Sequence, residues 1–337
     1  MDGSQQLGLW AAIPEHKRLP PDAAPLSPLI RFGTSTWTYE GWQGLVYTKR
    51  YLPSRFKSDC LAEYARYEYN GERLFRTVGF DFTFYGPPTL RQLAHYASQV
   101  PADFVACSKV WEEITVSAYS RHPRSGYADG PNPHFLDARY FVEQVLAPYA
   151  AVFRPHTGPF IFEFQRALGM EPGAFLERLD KFLARLPTSW EYAVEVRHES
   201  LLTKEYHAIL KEHGVAHVYN HWTHMPRLSE QHRMFAGTFT APFVVLRLLT
   251  PREVKYEDAV KRYKPYDKIV QPLPDMRADT VDLADQAMKE EKRAYVLVNN
   301  RSEGSAPRTI QAIREIMTGR RVAEPARRVK DPREEGR

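Results

Sequence analysis

The chain has 337 residues, 43% of them hydrophobic, which is ample for one large α/β domain or two ordinary ones and excludes a wholly disordered protein. The net charge is +5, but Arg320–Arg337 alone holds seven basic and four acidic residues, so much of the excess sits at one end and does not make the whole body basic. Only two cysteines, Cys60 and Cys107, are present, which excludes a disulfide framework or a cysteine-based zinc cluster and fits a reducing cytoplasm.

In chain order, the opening stretch carries Pro14, Pro20, Pro21, Pro25 and Pro28 and reads as a disordered tail over 1–28. It has no basic region followed by an apolar run, and nowhere do about 18 apolar residues follow one another, so a soluble, unexported chain without membrane contact is expected. Strands are predicted at 29–35 (LIRFGTS), 75–82 (FRTVGFDF), 103–109 (DFVACSK), 159–164 (PFIFEF), 192–196 (YAVEV), 215–219 (VAHVY), 243–248 (FVVLRL) and 294–299 (AYVLVN). Helical periodicity fills most of the gaps, at 56–69, 88–100, 136–153, 171–186, 203–214, 282–290 and 307–317. Eight strands separated by helices predict a single α/β domain, a (β/α)8 TIM-barrel-like unit over 29–318, with a doubly wound open sheet as the alternative. The charged segment 319–337 almost lacks apolar residues and is expected to be disordered.

In such a barrel the loops after the strands build the functional face. That rule puts Trp37, Tyr39 and Trp42 on the first loop. It brings Asp81, Tyr85, Lys109, Glu163, Glu195, Arg197, His198, Asn220, His221, Arg247, Asn299, Asn300 and Arg301 to the same end. Burying so many polar groups without partners would cost several kcal/mol each, so they must be paired, hydrated or bound to a ligand.

The segments GTSTWTYEGW, TVGFDFTFYGPP, AVEVRH, VVLRL and VLVNNRSEGSAP, in this order, resemble the YecE-like family, number 72 among the domains of unknown function. The resemblance spans about residues 31–310. It implies a TIM barrel, carries no established activity, and picks out Trp37, Tyr39, Trp42, Thr83 to Tyr85, Lys109, Glu195, Arg197, His198, Arg247, Asn299 and Asn300. The chain also departs from the family pattern. Gly79 and Asp81 stand where the second strand commonly has Glu and Asn. Glu163, Phe164, Gln165 and Arg166 replace a Q-L-P-P-like turn, and Leu249 and Thr250 follow Arg247 where the family tends to have His and Gly. If those positions carry chemistry in relatives, the activity here is altered or lost.

Glu195 and Arg197, two apart on a strand, project to one side. They form either a structural ion pair completed by Lys109 or Arg247, or a site in which Glu195 is the general acid or base and Lys109 and Arg247 hold an anionic oxygen. His198 is a second candidate for proton transfer, or a hydrogen-bonded loop residue. Glu163 with Glu195 would make the paired acids of a glycoside hydrolase if their separation suits.

His217, His221 and His224 lack a His-Glu-x-x-His spacing. A divalent metal held by them with Asp81 or Glu163 is possible but unsupported, and no cofactor is predicted, since phosphate-cradling glycine motifs are missing. The loop at Asn299 and Asn300 is the best anion-binding element, or the two asparagines cap the rim. The aromatic cluster is a plug, a stacking platform extended by Tyr85, or a partner contact. Two functions follow. One is a hydrolase, lyase or isomerase acting on a phosphorylated or other anionic ligand. The other is a non-catalytic binder of nucleic acid or a nucleotide-like ligand through the cationic top and basic tail.

Overall fold

The structure, a computed structural model, describes residues 25–119 and 130–323. Eight parallel strands form one nearly closed barrel: β1 Ile30–Thr34, β2 Thr77–Phe80, β3 Val105–Lys109, β4 Thr157–Phe164, β5 Tyr192–Val196, β6 Ala216–His221, β7 Phe243–Leu248 and β8 Arg293–Val298. They pair in sequence order from β2 round to β8, and β8 pairs with β1, so the open-sheet alternative is excluded. The seam lies between β1 and β2, where Arg76 N donates to Phe32 O at 2.9 Å. Gly33 permits that approach: a Cβ there would stand 2.2 Å from the Thr77 carbonyl oxygen.

The strand ends follow the expected segments to within a few residues, with one informative difference. The second strand stops at Phe80, and Asp81–Tyr85 turn into a 3-10 helix fastened by the Thr83 hydroxyl, whose single proton is shared between Phe80 O and Lys109 O. Residues 56–69 are not one helix but two, Pro53–Asp59 and Leu61–Tyr64, followed by a short hairpin of Glu68–Tyr69 and Glu72–Arg73. The helical stretch before β4 contains a π-turn at Val142–Leu146 just ahead of Pro148, whose missing N–H prevents a regular bond to residue 144. Helix Leu228–Met234, between β6 and β7, was not expected, because seven residues are too short to show a clear period.

The helices wrap the barrel with one apolar face each. Helix Pro172–Leu183 buries Phe175, Leu176, Leu179, Phe182 and Leu183, the spacing of a helical stripe, and each such side chain contributes about 1.5–3 kcal/mol. Leu26 is buried against the same core and the last helix runs Ala306–Ala323, so the described body reaches beyond 29–318 on both sides. Residues 1–24 and 324–337, on which most of the expected tails fall, lie outside the described residues. Among the described residues no helix is long and apolar enough to cross a membrane.

Candidate functional site

Alternation along the strands builds the site in layers. Inward residues Cys107, Ile161, Ala193, Val218, Val245 and Leu297 fill the middle of the barrel with apolar side chains. Two positions further along the same strands come Lys109, Glu163, Glu195, Asn220, Arg247 and Asn299. The upper layer is thus ionic where the layer beneath is apolar.

Arg247 is its centre, 1% exposed. Its Nη2 donates to both Asp81 oxygens at 2.8 and 2.9 Å; its Nη1 donates to Glu163 Oε2 at 3.0 Å and to Glu195 Oε2. Arg197 makes a second fork, with Nε to Glu195 Oε1 at 2.6 Å and Nη2 to Glu163 Oε2 at 2.7 Å. Lys109 Nζ lies 3.0 Å from Glu163 Oε1, which also accepts from Gln165 Nε2 at 2.8 Å. Three acids therefore face three cations, and the layer is neutral as a whole.

Burial by itself would favour the protonated form of Glu163, but Arg197, Lys109 and Arg247 outweigh it and hold the carboxyl well below the usual range. With four donors on its two oxygens, Glu163 is saturated. Glu195 has 0% exposure and both oxygens on guanidinium groups. Burial opposes the charge on Arg247, yet Asp81, Glu195 and Glu163 raise its pKa further above the ordinary arginine value. Asp81, at the rim, keeps a side chain 32% exposed.

Beside this layer, after β4, β5, β6 and β7, a cleft of about 440 Å³ is lined by Arg166, Arg197 and Arg252, by His198 and His224, and by the carboxylates Glu199 and Glu230. Glu230 is already engaged, accepting from Arg227 N at 2.7 Å to cap its helix. Arg197 reaches both the ionic layer and the cleft, its guanidinium 4.1 Å from the Trp222 ring centre. His198 Nδ1 accepts from Ser200 N at 3.2 Å and lies 2.7 Å from the Ser200 hydroxyl. The neutral ring therefore carries its proton on Nε2.

The sequence matches the family described as "Protein of unknown function DUF72" over residues 31–333. The chain belongs to the DUF72 family. Its fold is similar to that of a DUF72 family protein from Enterococcus faecalis V583, with TM-score 0.62 and 20% identity over 86% of this chain and 95% of that one. A DUF72 family protein from Thermotoga maritima MSB8 gives TM-score 0.57 and 20% identity over 86% and 98%. No curated protein matches the sequence.

Other candidate residues of this DUF72 chain lie apart from the cleft. The aromatic cluster divides: Trp37 packs on Phe80, Phe82 and Tyr96, whereas Trp42 stacks with Tyr47 and Tyr64, and Tyr39 meets Trp42 and Tyr266. Trp42 is 0% exposed and belongs to the hydrophobic core. Tyr85 does not extend this cluster; it is 61% exposed and its ring meets Phe84, because the 3-10 turn carries it outward. Asn299 Oδ1 accepts from Arg301 N at 3.0 Å and Asn300 Oδ1 from Ala306 N at 2.8 Å, so the last loop spends both acceptors on its own backbone. A free donor at the start of the last helix is thereby used up.

His217, His221 and His224 do not converge. His217 is buried between Tyr206 and Gln231, which leaves it neutral, its pKa lowered to about 3 by burial. Burial likewise lowers His221 to about 4, and His224 is exposed on a left-handed backbone with φ 66°. Among the described residues no three His, Cys, Asp or Glu side chains are grouped to hold a metal ion. Gly79 leaves no room for a side chain in this fold, since a Cβ would stand 2.9 Å from the Ser35 carbonyl oxygen.

Sequence reasoning missed Arg252 and Trp222. Arg252 lies four residues beyond β7 in LLTPRE, and extending the strand-end rule into each following loop would have found it.

Proposed function

We propose that the barrel mouth binds a small anionic ligand in the arginine-lined cleft, with the adjoining ionic layer holding Arg197 rigidly in place. The observation that carries this reading is the convergence of three guanidinium groups, Arg166, Arg197 and Arg252, with His198 and His224 on one cleft at the C-terminal strand ends, against two carboxylates, Glu199 and the helix-capping Glu230. Glu163 and Glu195 serve as counter-charges that fix Arg197 and Arg247. They are not placed to exchange protons with a ligand, because their oxygens already accept from guanidinium and ammonium groups. In this reading His198, which lines the cleft, is the proton-transfer group of any turnover.

The test is a thermal-shift and calorimetric titration of the full chain with pyrophosphate, citrate and ribose 5-phosphate. A bound anion at about 100 times its dissociation constant adds roughly 2.7 kcal/mol. Binding that is lost in Arg166→Ala with Arg252→Ala places the anion in the cleft. No stabilisation by any of the three, or equal binding by the double variant, refutes the assignment.

A further inference from the structure

The first loop buries Trp42 in the core and, through Thr36, Trp37 and Thr38, walls a second cleft. This cleft, of about 450 Å³, lies between the loop and helices Pro53–Asp59 and Leu90–Gln99 and shares no lining residue with the arginine-lined one. Its size falls within the range of small-molecule sites, about 300–1,000 Å³.

Three rings form its wall. Trp37 meets Tyr96 edge to face at 5.3 Å and 82°, and Phe82 at 6.0 Å and 77°. Trp37 is 1% exposed, yet its Nε1 has no acceptor in the protein. A ring held this firmly is a preformed apolar surface.

The polar rim adds donors of the same sign. Gln92 Oε1 accepts from Thr89 N at 2.9 Å and from the Thr89 hydroxyl at 3.0 Å, so the polar group Gln92 has to spare is its NH2. Lys57 lines the cleft and no carboxylate does. Asp59, the acid on the same helix, is paired with Arg55 at 2.9 Å and faces His95 at 3.6 Å. An aromatic wall and an ammonium group without a lining acid together ask for a flat apolar body that carries negative charge.

We propose that this cleft binds a planar aromatic ring bearing a carboxylate, the ring against Trp37, Phe82 and Tyr96 and the carboxylate towards Lys57. The proposal is independent of the anion reading of the barrel mouth.

The experiment is calorimetric titration of the full chain with sodium benzoate and 1-naphthoate, with cyclohexanecarboxylate and acetate as comparators. The aromatic acids bind and acetate does not. Lys57→Gln, on the surface, weakens them by about tenfold, the loss of one charge-assisted hydrogen bond. Phe82→Leu, at a partly buried ring of the wall, removes the aromatic face and weakens them as well; should it fail to fold, Lys57→Gln decides alone. Pyrophosphate does not compete. Absence of benzoate and naphthoate binding up to about 10 mM, equal affinity for Lys57→Gln, or displacement by pyrophosphate overturns the proposal.

Discussion

The two inner layers of the barrel sit on the same strands, one alternation apart, and differ completely in chemistry. Ile161 and Glu163 share β4, Ala193 and Glu195 share β5, and Val245 and Arg247 share β7. The lower layer is held by contact area and is indifferent to pH. The upper layer is held by matched charge, and its members are secure only while every partner is present. A buried ion network of this sort adds little over a well-packed apolar equivalent, yet it is costly to break on one side. The comparison teaches that the mouth is built for fixed geometry more than for stability.

The comparison breaks most sharply at Arg247. Arg247→Ala leaves Asp81, Glu163 and Glu195 short of a partner and is expected to cost about 3–5 kcal/mol in urea denaturation at pH 7. That penalty is electrostatic in origin and is expected to shrink towards pH 4. Ile161→Ala, one layer down, leaves a cavity and costs about 2–5 kcal/mol, with no change between the two pH values. Equal pH dependence for the two variants would erase the distinction between the layers.

Acid titration of the intact chain sharpens the same contrast. His217 and His221, with folded pKa values of about 3 and about 4, are neutral in the native state and protonate on unfolding at the ordinary value of about 6.5. Between those values the unfolded chain binds more protons, so stability falls as pH drops, by up to about 1.4 kcal/mol per unit for each histidine. His217→Gln flattens the slope. Glu163, depressed by its cations, contributes stability that is present above the ordinary carboxylate value of about 4.3 and is lost further below it. A stability flat from pH 7 to pH 4 contradicts the burial of both histidines.

The smallest effect on stability is expected at Arg252, which lines the cleft and lies outside the ionic layer. Arg252→Ala loses the hydrogen bond that Arg252 Nε donates to Met225 O at 2.8 Å, and should cost no more than about 1 kcal/mol while weakening anion binding. Chemical denaturation beside a pyrophosphate titration separates the two effects, and a loss of several kcal/mol would show that Arg252 is a structural residue.

The strands and their order were legible in the sequence because each is a short apolar run between turn signals, and eight such runs with helices between them have few ways to pack. Period-two spacing also put Glu195 and Arg197 on one side of β5 before any coordinates. Neither the saturation of Glu163 nor the bridging of Asp81 by Arg247 could be read that way. Asp81 and Arg247 are 166 positions apart and meet only because β2 and β7 face the same barrel interior.

The fate of the opening loop shows the same division. Its composition announced an aromatic cluster at a strand end, but it is packing that splits Trp37 from Trp42 and sends Tyr85 outward. What the sequence by itself determined is the local part: which runs become strands, which helices carry an apolar stripe, and which residues stand at the strand ends. Which charges neutralise one another and which remain to line a cleft was decided only by the tertiary structure. Pairing depends on distance and burial between segments far apart in the chain, and those are properties of the closed barrel.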